Sequence, residues 1–151
     1  MKRIFLFTLL SLVSFLGKTQ EAIKWEFNYN AASKQVEIVA NIDEGWHLYS
    51  QFIQNDVGPV PTTITFTPSA DLELIGAVAE PKPIQKYDEN FEAMLDFFEH
   101  KVVFTQKVKA KKTAKGQKET VLEGSVTFMV CNNSMCLPPV EKKFKITVPL
   151  K

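Results

Sequence analysis

The chain has 151 residues, with 18 Lys and Arg against 17 Asp and Glu, two cysteines and eight prolines. Its formal net charge of +1 gives nucleic-acid binding no electrostatic support, and its length is one domain's worth, enough to bury a core unaided. With only one possible cysteine pair, the small disulfide-dense class of secreted scaffolds is excluded.

Residues 1–20, MKRIFLFTLLSLVSFLGKTQ, open with Lys2 and Arg3 and then run apolar from Ile4 to Leu16. A charged start followed by an apolar run too short for a comfortable membrane span is the pattern of a secretory signal peptide. Cleavage is expected between Gly17 and Ala22. The segment holds no cysteine to carry a lipid. Removal of Lys2, Arg3 and Lys18 takes the 18 basic residues to 15 against 17 acidic ones, a net charge near −2. The expected product is one exported domain over 21–151, with no membrane insertion after cleavage.

From Ile23 the chain alternates. Ile23, Trp25, Phe27 and Tyr29 share one face, and Val36, Ile38, Ala40 and Ile42 repeat the pattern after NAASK. Trp46 and Leu48 alternate with His47 and Tyr49, and short strands are readable at 63–67, 72–78 and 102–110. Leu122, Val126, Phe128 and Val130, then Phe144, Ile146 and Val148, close the series. Period-two runs broken by DEG, GPVP, PSAD, PKP and KKTAKGQKE predict an all-β, antiparallel β-sandwich. One stretch breaks the rule. In DENFEAMLDFFEH, residues 88–100, Phe91, Met94, Leu95 and Phe98 fall at helical spacing, which leaves open a short helix packed on the sandwich or a phenylalanine-rich connecting loop.

Both cysteines lie in VTFMVCNNSMCLPPVEKKFKITV, residues 126–148, between two strand-like runs. If 122–130 and 140–148 pair as antiparallel neighbours, Cys131 and Cys136 stand at the mouth of their connection. Facing positions there lie about 4.5–5.5 Å apart at Cα, which a disulfide accepts. Strand parity places Cys131 with Thr127 and Met129 on the face opposite the core. A bridge over so short a loop removes little unfolded-chain entropy, so stability is a weak reason for the pair. Three readings stay open on the residues alone: a structural staple, a redox-active pair, or a soft-metal site drawing on His47, His100, Met129 or Met135. The last lacks the spacing of zinc or cupredoxin motifs.

With its leader, its early GWHLYS, its mid-chain YDENF and its late VCNNSMCLPP, the chain resembles the N-terminal periplasmic domain of the thiol:disulfide interchange protein DsbD over essentially the whole of 21–151. The resemblance implies an immunoglobulin-like fold and a periplasmic carrier without cofactor or metal. It would take electrons from a membrane-embedded thiol reductase and pass them to periplasmic thioredoxin-like proteins. Cys131 and Cys136 match the active disulfide, with Cys136 entering the mixed disulfide and Cys131 resolving it. Phe91 resembles the cap that shields the pair, Asp88 and Glu89 match acidic residues beside it, and His47 and Tyr49 lie where aromatic side chains flank it. Two departures stand out: the inter-cysteine loop looks one residue shorter than in the best-known members, and His47 replaces an aromatic ring. Because no membrane domain follows Lys151, the donor is expected on a separate chain. The contrasting expectation is a non-catalytic binding module whose hairpin disulfide firms a loop.

Overall fold

The computed structural model describes residues 22–53, 58–111 and 117–150. The leader 1–20 and its cleavage region up to Glu21 lie outside the described residues. The described chain is built of antiparallel strands, and no helix in it is long and apolar enough to cross a membrane.

Strands β1 (Ile23–Asn30) and β2 (Gln35–Ile42) form a hairpin, with β8 (Lys101–Ala110) beside β2 and β5 (Leu72–Ala79) beside β8. A second sheet runs in the order β10 (Val130–Cys131), β3 (His47–Tyr49), β7 (Ala93–Glu99), β6 (Ile84–Asp88). The third joins β11 (Val140–Pro149), β9 (Glu119–Phe128) and β4 (Thr63–Phe66). The alternating runs form strands because each has a face to bury. Val36, Ile38, Ala40, Phe104, Leu122, Val126, Ile146 and Val148 meet in one core, and Leu48, Phe98 and Val130 reach it from the second sheet. Non-polar burial of this kind contributes roughly 25 cal/mol per Å².

Three local features set the layout. The β5–β8 register shifts between Ile75 and Ala79, and there the buried Gln106 side chain donates to the carbonyls of Ile75 and Gly76, at 3.1 and 3.3 Å. Gly124 lies opposite Phe144 on β11 and Phe66 on β4, and an added Cβ would stand 2.6 Å from the Phe144 ring. At His100, with φ +62°, the chain turns from β7 in the second sheet to β8 in the first.

The short helix left open over 88–100 does not form. Those residues are the end of β6, a turn at 89–92, and β7. The strand wins because it is buried on both faces at once. Phe98 faces the main core, whereas Leu95 and Phe97 face a second cluster with Tyr49 and Cys131. A strand covered on both sides reads as a continuous apolar run, whose spacing mimics a helical stripe. Met94, the fourth member of that stripe, is 58% exposed.

Candidate functional site

The second sheet carries the site on the face turned away from the main core. Register decides which side chains share it. Cys131 lies opposite His47, and His47 opposite Glu99; Tyr49 lies opposite Phe97. Side chains at paired positions project to the same face, so Cys131, His47, Tyr49, Phe97 and Leu95 stand together. Strand parity from the sequence agrees: Phe128 and Val130 enter the main core, while Met129 and Cys131 pack into the second cluster. The face is nevertheless covered. Cys131 is fully buried, and Cys136 packs against the cluster half-buried.

Cys131 and Cys136 are joined by a disulfide, with Cα atoms 4.0 Å apart, closer than the 4.5–5.5 Å expected from a regular ladder. The β9–β11 ladder ends at Phe128 and Val140, and beyond it the two cysteines pair as an isolated bridge. The loop between them is tied internally. Asn132 N–H donates to the Met135 carbonyl at 2.9 Å, and Asn132 Oδ1 accepts from the amides of Ser134 and Met135 at 2.8 and 2.9 Å. Leu137 N–H donates to Val130 C=O at 3.0 Å and holds the way into β11. Met135 stands out from this loop, half exposed.

The turn between β6 and β7 packs on the second cluster, as Ile53 and Met129 also do. Asp88 closes this turn: its Oδ1 accepts the amides of Asn90 at 2.8 Å and Phe91 at 3.3 Å, an Asx-type turn. Glu92 follows with φ +51° and turns the chain into β7. Phe91 is thereby laid, half-buried, on the cluster that contains Cys131, with its ring edge-on to Tyr49 at 6.0 Å between centroids. Asn90 Nδ2 donates to the carbonyl of Asn132 at 2.9 Å and connects the turn to the cysteine loop. Glu89 is exposed and lines a small polar cavity with His47, Lys86, Asp88, Glu99 and Asn133.

Beneath the turn lies a buried polar triplet. Tyr49 Oη donates to Asp88 Oδ2 at 2.6 Å, and His47 Nε2 lies 3.1 Å from the same oxygen and 3.0 Å from Tyr49 Oη. One arrangement satisfies all three: His47 carries its proton on Nε2, and Asp88 accepts as the anion. Burial opposes the charge on Asp88, but the Tyr49 hydroxyl, the Asn90 and Phe91 amides and His47 outweigh it and hold the carboxyl below its ordinary value. Burial pushes His47 below its ordinary value despite the Asp88 charge, and raises Tyr49 further together with Asp88. His47 and Tyr49 are thus neither solvent-exposed nor hydrated at the rim, as lone polar residues on a strand's outer face usually are.

Of the residues singled out by sequence, Cys131, Cys136, Phe91, Asp88, His47 and Tyr49 converge here, with Glu89 at the edge. His100 lies exposed at the β7–β8 corner. Among the described residues no group of three or more His, Cys, Asp or Glu is placed to hold a metal ion. Sequence reasoning missed the place of Leu95, assigned to a helical stripe, and of Phe97, left outside that stripe, and the pair Asn90 and Asn132. Asp-x-Asn at 88–90 and Asn-x-Ser at 132–134 carried an Asx-turn signal that pointed to both turns.

A family model described as the N-terminal part of the thiol:disulfide interchange protein DsbD matches residues 15–148. Among solved structures, the reduced form of the Neisseria meningitidis DsbD N-terminal domain is similar, with a TM-score of 0.56 and 19% identity, covering 86% of this chain and 91% of that one. At that identity the likeness shows the fold, an immunoglobulin-like antiparallel β-sandwich. No curated protein matches by sequence.

Proposed function

The chain belongs to the family of the DsbD N-terminal domain, and on that premise we propose that it is a periplasmic thiol–disulfide exchange carrier working through a reversible Cys131–Cys136 bridge. The observation that carries this is the asymmetry of the disulfide: Cys131 is fully buried, Cys136 is half-buried, and the turn bearing Phe91 packs on the same cluster. A purely structural bridge needs no such arrangement.

The exchange runs in two displacements. A donor thiolate attacks Sγ of Cys136, the more accessible sulfur; the Cys131–Cys136 bond breaks and Cys131 leaves as a thiolate that takes a proton. The donor's second thiol then attacks the donor sulfur of the mixed disulfide and releases Cys136, so two electrons have passed to the domain. In the forward half the Cys136 thiolate attacks an acceptor disulfide, and Cys131 resolves the mixed disulfide. Attack must be in line with the S–S bond, so Phe91 has to move before either partner reacts. A membrane-embedded thiol reductase as donor and thioredoxin-like proteins as acceptors fit this chemistry, and export by the 1–20 leader fits the compartment.

The reduction potential of the pair tests the reading. Equilibration of the oxidised domain against graded dithiothreitol, with thiols trapped, is expected to give a value within about −120 to −270 mV, the range of exchanging disulfides. A value below about −300 mV, or a bridge that resists reduction until the domain unfolds, identifies a structural staple and ends the proposal.

A further inference from the structure

The cap turn is held at two places of different strength. On one side Asp88 is buried, charged and bound to Tyr49 and His47 on β3. On the other, Asn90 is exposed and makes one neutral bond, Nδ2–H to the carbonyl of Asn132 at 2.9 Å. Charge-assisted, desolvated hydrogen bonds outlast exposed neutral ones. Opening the turn therefore breaks the Asn90 bond first, pivots where Asp88 Oδ2 holds β3, and draws the Phe91 amide off Asp88 Oδ1, 3.3 Å away. The acceptor is also well placed to hold the turn in register. Asn132 directly follows Cys131, and its N–H and Oδ1 are both committed within the loop, so its carbonyl is a fixed point beside the disulfide.

We propose that Asn90 is a positioning residue, the latch that clips the Phe91 turn to the cysteine loop and sets how often the bridge is uncovered. The proposal deepens the exchange reading above and rests on it for its purpose, though the latch itself is a property of the oxidised fold. Asn90 touches neither sulfur in this scheme. It acts through Phe91, whose amide shares Asp88 Oδ1 with that of Asn90.

The test uses the oxidised full chain and two readouts: the rate of bridge reduction by dithiothreitol under native conditions, and hydrogen exchange at the Phe91 amide. Loss of one ordinary hydrogen bond corresponds to about a two- to tenfold shift in the open population. Asn90→Ala is expected to speed both readouts by that factor and to lower the folding equilibrium constant by no more than the same factor, since the bond removed belongs to the closed native state. In a Phe91→Ala background, where nothing remains to uncover, Asn90→Ala is expected to add nothing to the reduction rate. Unchanged rates in Asn90→Ala, or the same acceleration on top of Phe91→Ala, overturn the latch. If the wild-type bridge proves irreducible in the folded state, the exchange reading fails. The Phe91 amide then decides alone: faster exchange in Asn90→Ala upholds the latch, and unchanged exchange removes it.

Discussion

Replacing Asp88 by alanine strikes the point where the cap, β3 and the polar triplet meet. The carboxylate is 4% exposed and accepts from Tyr49 Oη, His47 Nε2 and the amides of Asn90 and Phe91. Two of these partners can rescue each other. Tyr49 Oη and His47 Nε2 stay 3.0 Å apart, so the tyrosine donates to a histidine that has moved its proton to Nδ1. The amides belong to a surface turn and turn to water. What is lost is the charge-assisted bond from Tyr49, about 1.5–3 kcal/mol, and a turn closure comparable to a helix N-cap, about 1 kcal/mol. Relief from burying a carboxylate offsets part of this, so Asp88→Ala is expected to cost about 2–4 kcal/mol, a large share of the stability of a small domain. Asp88→Asn keeps an acceptor for the amides and is expected to cost about half as much. Urea denaturation of the oxidised protein at pH 7 measures both. A loss under about 0.5 kcal/mol for Asp88→Ala, the size of an ordinary surface substitution, would show the carboxylate to be solvated and the cap independent of it.

If the Phe91 ring shields the pair as proposed, Phe91→Ala is expected to raise the rate of bridge reduction by dithiothreitol at least tenfold with a smaller effect on the reduction potential; equal rates in the two proteins refute the shielding. His47 has its pKa lowered in the folded state, so the protonated form favours the unfolded chain. Stability is therefore fully present above the unfolded value of about 6.5 and falls as pH drops below it, with Asp88, also lowered, adding a second loss below about 3.9. Urea midpoints from pH 8 to 5 check the first window, and His47→Phe is expected to flatten it. Gly124→Ala is expected to destabilise by about 1–3 kcal/mol, since the new methyl would lie 2.4 Å from the Thr65 carbonyl oxygen and 2.6 Å from the Phe144 ring; a thermal midpoint equal to wild type contradicts that. Gln106→Leu leaves the bulge carbonyls of Ile75 and Gly76 without their donor and is expected to cost about 1–3 kcal/mol by the same assay.

Strand identity along most of the chain was legible because side-chain alternation is local. Trp25 and Phe27 share one face with the exposed Glu26 between them on the other, and Leu48 is marked for the core by its neighbours alone. The face of Cys131 was legible too, since parity carries from Phe128 through Val130 without knowledge of any partner strand. What covers that face was not. His47 and Asp88 are 41 residues apart and meet only because β3, β7 and β6 pair in one register. The same register, not any local preference, buries Leu95 and Phe97 on one side of β7 and Phe98 on the other, and so turns an apparent helical stripe into a strand. Sequence by itself determined that this is a sandwich with a cysteine pair at the end of a strand. Only the tertiary structure decided that Cys131 is buried with Tyr49, Leu95 and Phe97 in a second cluster on which the Phe91 turn packs, because burial on a second face is a property of what packs there and leaves no period in the chain.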